Sequence, residues 1–192
     1  MKTTARGFTL LEILVVVFII GLAAAVISVA VGGNSAANLV RKEAETFMLQ
    51  GSYVAEQAIL KGETHGLFVD LRPAQDMESN EHWCYQWRRV RDRQWQDLPE
   101  LPLHCLPEQL AIEFTLDGQL WEFDPELEYQ EPVIGFFPSG DASGEVEIHI
   151  LANPLQMVSS DEFETERFKL EVIGELRWIT EEERLEQEQK GR

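Results

Sequence analysis

Arg6-Gly7-Phe8-Thr9-Leu10-Leu11-Glu12 opens a run that stays almost wholly apolar to Val31. One carboxylate, Glu12, sits near the start of that membrane-length run. An acidic side chain costs roughly 2.5 to 3.5 kcal/mol at mid-bilayer and less towards the ends, so an ionisable group placed there needs a partner. Cleavage between Gly7 and Phe8 would create one. The freed ammonium of Phe8 would precede Glu12 by four residues, which on a helix puts both groups on one face, one turn apart. Phe8 to Val31 is 24 residues. As a helix rising about 1.5 Å per residue it would be about 36 Å long, enough to cross a hydrocarbon core of about 30 Å with some tilt. A secretory signal peptide is the plainer alternative, with Leu22-Ala23-Ala24-Ala25 offering a small-residue cut. The run is longer than an ordinary h-region, however, and carries a Glu at its start. Lys2 and Arg6 flank one side and Arg41 and Lys42 the other, so charge alone leaves the orientation open.

The stretch RGFTLLEILVVVFIIG resembles the class III signal of type IV prepilins and pseudopilins. In that family a short basic leader ends in Gly. A prepilin peptidase cuts after it and N-methylates the new first residue, and the acid at the fifth mature position serves assembly. Carried over residue by residue, the resemblance implies Gly7 as the cleavage site, Phe8 as the N-methylated terminus and Glu12 as the carboxylate that pairs subunits.

Beyond the double glycine at 32 and 33 the pattern is helical. Val40, Ala44, Phe47, Met48, Gly51, Val54, Ala55 and Ala58 recur at three- and four-residue spacings, with Arg41, Lys42, Glu43, Glu45 and Glu56 on the other face. Gly62 is a fair stop. One helix from residue 8 to about 61 is therefore expected, weakened at Gly21 and at Gly32-Gly33.

From Gly66 onward the signals are β. Leu67-Phe68-Val69 is a short apolar run, and Trp83–Val90 and Trp95–Leu98 flank a turn at Arg91-Asp92-Arg93. Leu110–Leu116 and Gln119–Phe123 surround Asp117-Gly118, the clearest hairpin. Val146, Ile148 and Ile150 alternate with Glu145, Glu147 and His149, and Phe168 to Trp178 alternates likewise, as half-buried antiparallel strands do. Pro99–Pro107, Pro125–Pro132 and Asn153–Glu166 are expected loops. The closing run EEERLEQEQKGR is expected to be a frayed, charged tail.

The segment Ile134-Gly135-Phe136-Phe137-Pro138-Ser139-Gly140-Asp141-Ala142-Ser143-Gly144, followed by an alternating strand, resembles a hallmark of the protein H domain found in type II secretion minor pseudopilins and related minor pilins. Its physical reading agrees: a strand, a turn of Pro and small residues, then a strand.

Cys84 and Cys105 are the only cysteines. Outside the cytosol a disulfide between them would persist, and closing a loop of about 20 residues would add about 3 kcal/mol. With His82 and His104 they could instead make a two-His, two-Cys metal site, but the spacing is not that of a zinc finger, and no metal or other cofactor is expected. Trp83, Tyr85, Trp87, Arg88, Arg89, Arg91, Arg93 and Trp95 form an aromatic, basic island. Stacked bases between arginines would be a nucleic-acid reading. With 34 acidic against 16 basic residues and a formal charge of −18 the chain opposes it. The simpler expectation is a hairpin with core aromatics and arginines that are solvated or meet a neighbouring subunit's carboxylates. No nucleophile elbow, phosphate loop or His-Glu-x-x-His occurs, so an enzyme is not expected.

The expected fold is α+β and type IV pilin-like: a long N-terminal helix, its first half transmembrane, packed on an antiparallel β domain of two sheets. The expected parts are a leader (1–7), a transmembrane half-helix (8–32), a soluble amphipathic half-helix (33–62), a periplasmic β domain (63–180) and a charged tail (181–192). The resemblance implies a structural minor pseudopilin of the type II secretion system, at or near the tip of the pseudopilus, anchored once in the inner membrane. A minor type IV pilin for adhesion or DNA uptake is the alternative. Implied partners are prepilin peptidase, the major and other minor pseudopilins and inner-membrane lipid, with the outer-membrane secretin and exported proteins as further candidates. Nucleic acid is not expected.

Overall fold

The structure, a computed structural model, describes residues 10–73, 81–127, 129–152 and 165–191, and in the first helix the side chains of 14–17 and from 37 onward. Helix α1 (Leu10–Lys61) runs without a break through both weakening sites, Gly21 and Gly32-Gly33. The chain divides into two compact units, one ending at Asn38 and one spanning Leu39–Arg192. Among the described residues no helix is long and apolar enough to cross a membrane. The expected span, 8–32, lies largely outside the described side chains, and the expected leader, 1–7, lies outside the described residues.

In the second unit, α1 buries Val40, Ala44, Phe47, Val54 and Ala58 at helical spacing. Gly51 lies on the same buried face, where a Cβ would come within 2.6 Å of Leu176 Cδ2. The helix stops at Gly62, whose φ of +64° is the left-handed conformation that ends helices.

Two antiparallel sheets follow. The first holds β1 (His65–Arg72), β2 (His82–Arg91), β3 (Gln94–Asp97), β4 (His104–Cys105) and β7 (Ile134–Phe136), in the order β3-β2-β1-β7 with β4 also on β2. The second holds β5 (Leu110–Leu116), β6 (Gln119–Leu120), β8 (Val146–Ala152), β9 (Thr165–Leu170) and β10 (Leu176–Trp178), in the order β10-β9-β8-β5-β6. The alternation in the sequence sets which face is inward: Val146, Ile148, Ile150 and Ala152 of β8 are buried, as are Leu110, Ile112 and Phe114 of β5. The β2–β3 and β5–β6 hairpins each turn on two residues of positive φ, Asp92-Arg93 and Asp117-Gly118. That pairing matches the right-handed twist of the flanking strands.

Phe47 joins the layers. Its ring lies 5.6 Å from Tyr85 and 6.3 Å from Trp87 on β2, and 5.4 Å from Phe168 on β9. One helix side chain therefore packs against both sheets.

The structure departs from the sequence reading in five places. The strand expected through Phe123 ends at Leu120, and residues 121–123 leave the sheet while Trp121 N–H still donates to the Phe114 carbonyl (2.8 Å). The alternation from Phe168 to Trp178 is broken by a turn at 172–174, leaving Val172 and Ile173 exposed at its tip. The expected loop Pro99–Pro107 contains β4. The expected loop 153–166 lies outside the described residues except for its last two positions, which begin β9.

The tail also is not frayed: Ile179–Lys190 forms helix α2. Its residues are good helix formers with acids in the first turn, where the helix dipole favours them. Tertiary ion pairs then hold it. Arg184 binds Glu166 (2.8 Å) and Glu181, Arg167 binds Glu183 (2.6 Å), Arg177 binds Glu182, and Arg41 of α1 reaches Glu181 (3.1 Å). Exposed pairs contribute about 0 to 1 kcal/mol each. The buried carboxylate Glu166 matters more: it also accepts from Trp178 Nε1 (2.7 Å) and from the Thr180 hydroxyl.

Replacing Phe47 with Ala should destabilise the chain by about 3 to 5 kcal/mol through a cavity touching both sheets, read by denaturant unfolding. Burial pushes the Glu166 carboxyl up, but hydrogen bonds from Thr180, Arg184 and Trp178 outweigh it and hold it below the usual carboxylate range. A lowered folded value stabilises above the unfolded value of about 4.3 and is lost as pH falls through the folded one. Glu166→Gln should therefore cost about 1 to 3 kcal/mol at neutral pH and flatten the fall in melting temperature below about pH 4.3.

Candidate functional site

Three sequence positions carry the expected chemistry. Gly7 and Phe8 lie outside the described residues. Glu12 lies on α1, its side chain outside the described ones. Leu14, Val15, Val16 and Val17 are consecutive and between 46% and 63% exposed, so this part of α1 presents apolar side chains on every side. A helix apolar all round belongs in lipid or among other helices.

Cys84 on β2 and Cys105 on β4 are directly opposite and joined by a disulfide. Leu106 N–H donates to the Trp83 carbonyl (2.8 Å), which makes 84/105 a non-hydrogen-bonded pair, the register in which facing side chains come closest. His82 lies beside the two sulfurs, all three ligand atoms falling within 4.8 Å. Sulfurs bonded to each other offer no thiolate to a metal. His104 is engaged elsewhere: its Nε2 meets Glu43 Oε2 of α1 at 2.6 Å, and Glu43 is buried. The bridge and this contact together hold β4 between β2 and the helix.

The aromatic, basic island resolves into core and surface. Tyr85 and Trp87 are fully buried, and Trp95 packs on Phe68 at 5.1 Å between ring centroids. The arginines meet carboxylates of their own chain, not only solvent or a neighbour. Arg88 pairs with Asp97 (3.0 Å), and Arg91 and Arg89 converge on Glu63 at 2.6 and 3.6 Å. The hydrogen bond from Arg91 holds the Glu63 carboxyl below its ordinary range. This removes three cations from any phosphate-binding stripe. The hallmark segment is divided: Ile134, Phe136 and Ala142 are buried, Phe137 to Ser139 form an exposed turn, and the Ser143 hydroxyl accepts from Gly135 N–H (3.0 Å).

One feature carries no sequence motif. Trp121 and Phe123 read as strand residues, yet they leave the sheet and line a cleft with Trp83. Only the two prolines that follow, Pro125 and Pro132, hint that the strand stops early.

Replacing both cysteines by Ala should lower stability by about 3 kcal/mol and make the melting temperature insensitive to reductant. Calorimetry with and without dithiothreitol checks both.

Residues 2–28 match the prokaryotic N-terminal methylation motif. Over a 192-residue alignment the chain is 27% identical to type II secretion system protein H of Aeromonas hydrophila, covering 92% of this chain and 94% of that one. It is 29% identical over 129 residues to type II secretion system protein H of Vibrio cholerae, covering 65% and 61%. The fold matches the crystal structure of the minor pseudopilin EpsH from the type II secretion system of Vibrio cholerae, with a TM-score of 0.52, 20% identity and coverage of 73% of this chain and 93% of that one. A second structure of that protein gives a TM-score of 0.51 at 19% identity. The chain thus carries an N-terminal methylation motif and is similar along nearly its whole length to a type II secretion system protein H.

Proposed function

We propose that this chain is a building block of a type II secretion pseudopilus, processed between Gly7 and Phe8, methylated on Phe8 and locked into the fibre through Glu12. The similarity to protein H along 92% of the chain, with the methylation motif at its start, carries the reading. Residues 8–32 anchor the subunit in the inner membrane. The β domain stands in the periplasm, where the Cys84–Cys105 bridge survives. The subunit enters the fibre at or near its tip, alongside the other minor pseudopilins and above the major one. Its role is structural and not catalytic.

Glu12 supplies the mechanism. A carboxylate held in lipid is costly without a counter-ion, and the ammonium of a neighbouring subunit's first residue provides one. Cleavage places that amine four residues from the acid, so each subunit carries one donor and one acceptor near the same end of its helix. Pairing between subunits fixes their axial offset, and breaking a buried pair by deleting one partner costs about 3 to 5 kcal/mol.

Glu12→Ala should leave processing intact, seen as an unchanged mature length on gels. It should reduce co-purification of the other pseudopilins from membranes by at least about tenfold. Undiminished recovery of those partners would contradict the assignment.

A further inference from the structure

Where the two sheets part, the end of β1, the start of β2 and the β5–β6 hairpin enclose an open cleft of about 460 Å³. That volume is in the range of small-ligand sites. Its walls are aromatic. Trp83 and Phe123 meet edge to face (6.0 Å, 83°), and Trp121 lies 6.2 Å from Phe123 at 56°. Contacts of this kind pack the rings on one another and give the cleft a continuous aromatic wall. The mouth is acidic: Glu81, Glu113 and Glu122 line the same cleft and are exposed. Among the described residues none of the three has an ion-pair partner in its own chain, so their charge is open to a partner. Arg72, the arginine nearest to the cleft in sequence, is taken by Asp70 at 2.8 Å.

We propose that this cleft receives a positively charged side chain, an arginine or lysine, displayed by a partner protein. The inference goes beyond assembly through Glu12 and does not depend on it. An apolar occupant would use the walls and leave the carboxylates idle, an anion would be repelled, and a bare metal ion would leave the rings unused. A basic side chain satisfies both parts, its aliphatic stem covering the aromatic walls while its charged head meets the rim. Arginine fits better than lysine, because its planar head stacks on rings and binds carboxylates in two-pronged fashion.

The test is calorimetric titration of the full chain in detergent micelles with acetyl-Gly-Arg-Gly-Arg-Gly-amide, alongside norleucine and glutamate counterparts. The arginine peptide should bind saturably with a dissociation constant on the order of 1 mM or tighter. Both counterparts should bind at least about tenfold more weakly. Joint replacement Glu113→Gln and Glu122→Gln should weaken arginine binding at least about fivefold with the melting temperature held, and Trp121→Ala should abolish it. Absence of saturable arginine binding would overturn the proposal. So would norleucine binding as well as arginine, the mark of a purely apolar groove. Arginine binding unchanged in the glutamine variant would overturn it too, since the acidic rim would then play no part.

Discussion

Phe47 is the contact on which the second unit depends. It sits mid-way along the buried stripe of α1 and touches aromatic rings from both sheets. Neither sheet could bury its inner face alone: each is apolar on that face and needs another layer against it. The helix supplies that layer with small residues, Ala44, Gly51 and Ala58, spaced between large ones, so the backbone comes close and Phe47 fills the gap. The remaining ties extend the same arrangement. Glu43 holds β4 through His104, and Arg41 reaches the C-terminal helix through Glu181.

The features legible in the sequence were those fixed by local chemistry. The three- and four-residue spacing from Val40 to Ala58 marks the buried stripe of α1, and Asp117-Gly118 marks a turn because both residues tolerate positive φ. The period of two in β8 marks its buried face. What stayed hidden depends on partners far along the chain. The run after Thr180 is too charged to bury a face, and α2 exists because Arg41, Glu166, Arg167 and Arg177 meet it. β4 is two residues long and owes its place to the bridge at Cys84. Trp121 and Phe123 keep a strand-like pattern, but their rings pack against Phe114 and Trp83 instead of continuing the ladder. The assembly role proposed for Glu12 rests on a different reason: a lone acid in an apolar run is costly without a counter-ion.

The distribution of charge links fold to function. The chain is strongly acidic, and most of its arginines are spent inside the subunit, on Glu63, Asp97, Glu166 and the first turns of α2. What is left over is negative, and the acidic mouth of the aromatic cleft is part of it. Under the two proposals above, that mouth and Glu12 each take a cation from another molecule.

The account stands on the processed amine that answers Glu12. Peptide-level mass spectrometry of the chain purified from its native membrane tests it directly. The account predicts a mature chain beginning at Phe8 with one methyl group on its amine. A chain that still begins at Met1, or one that begins beyond Ala25, would contradict it.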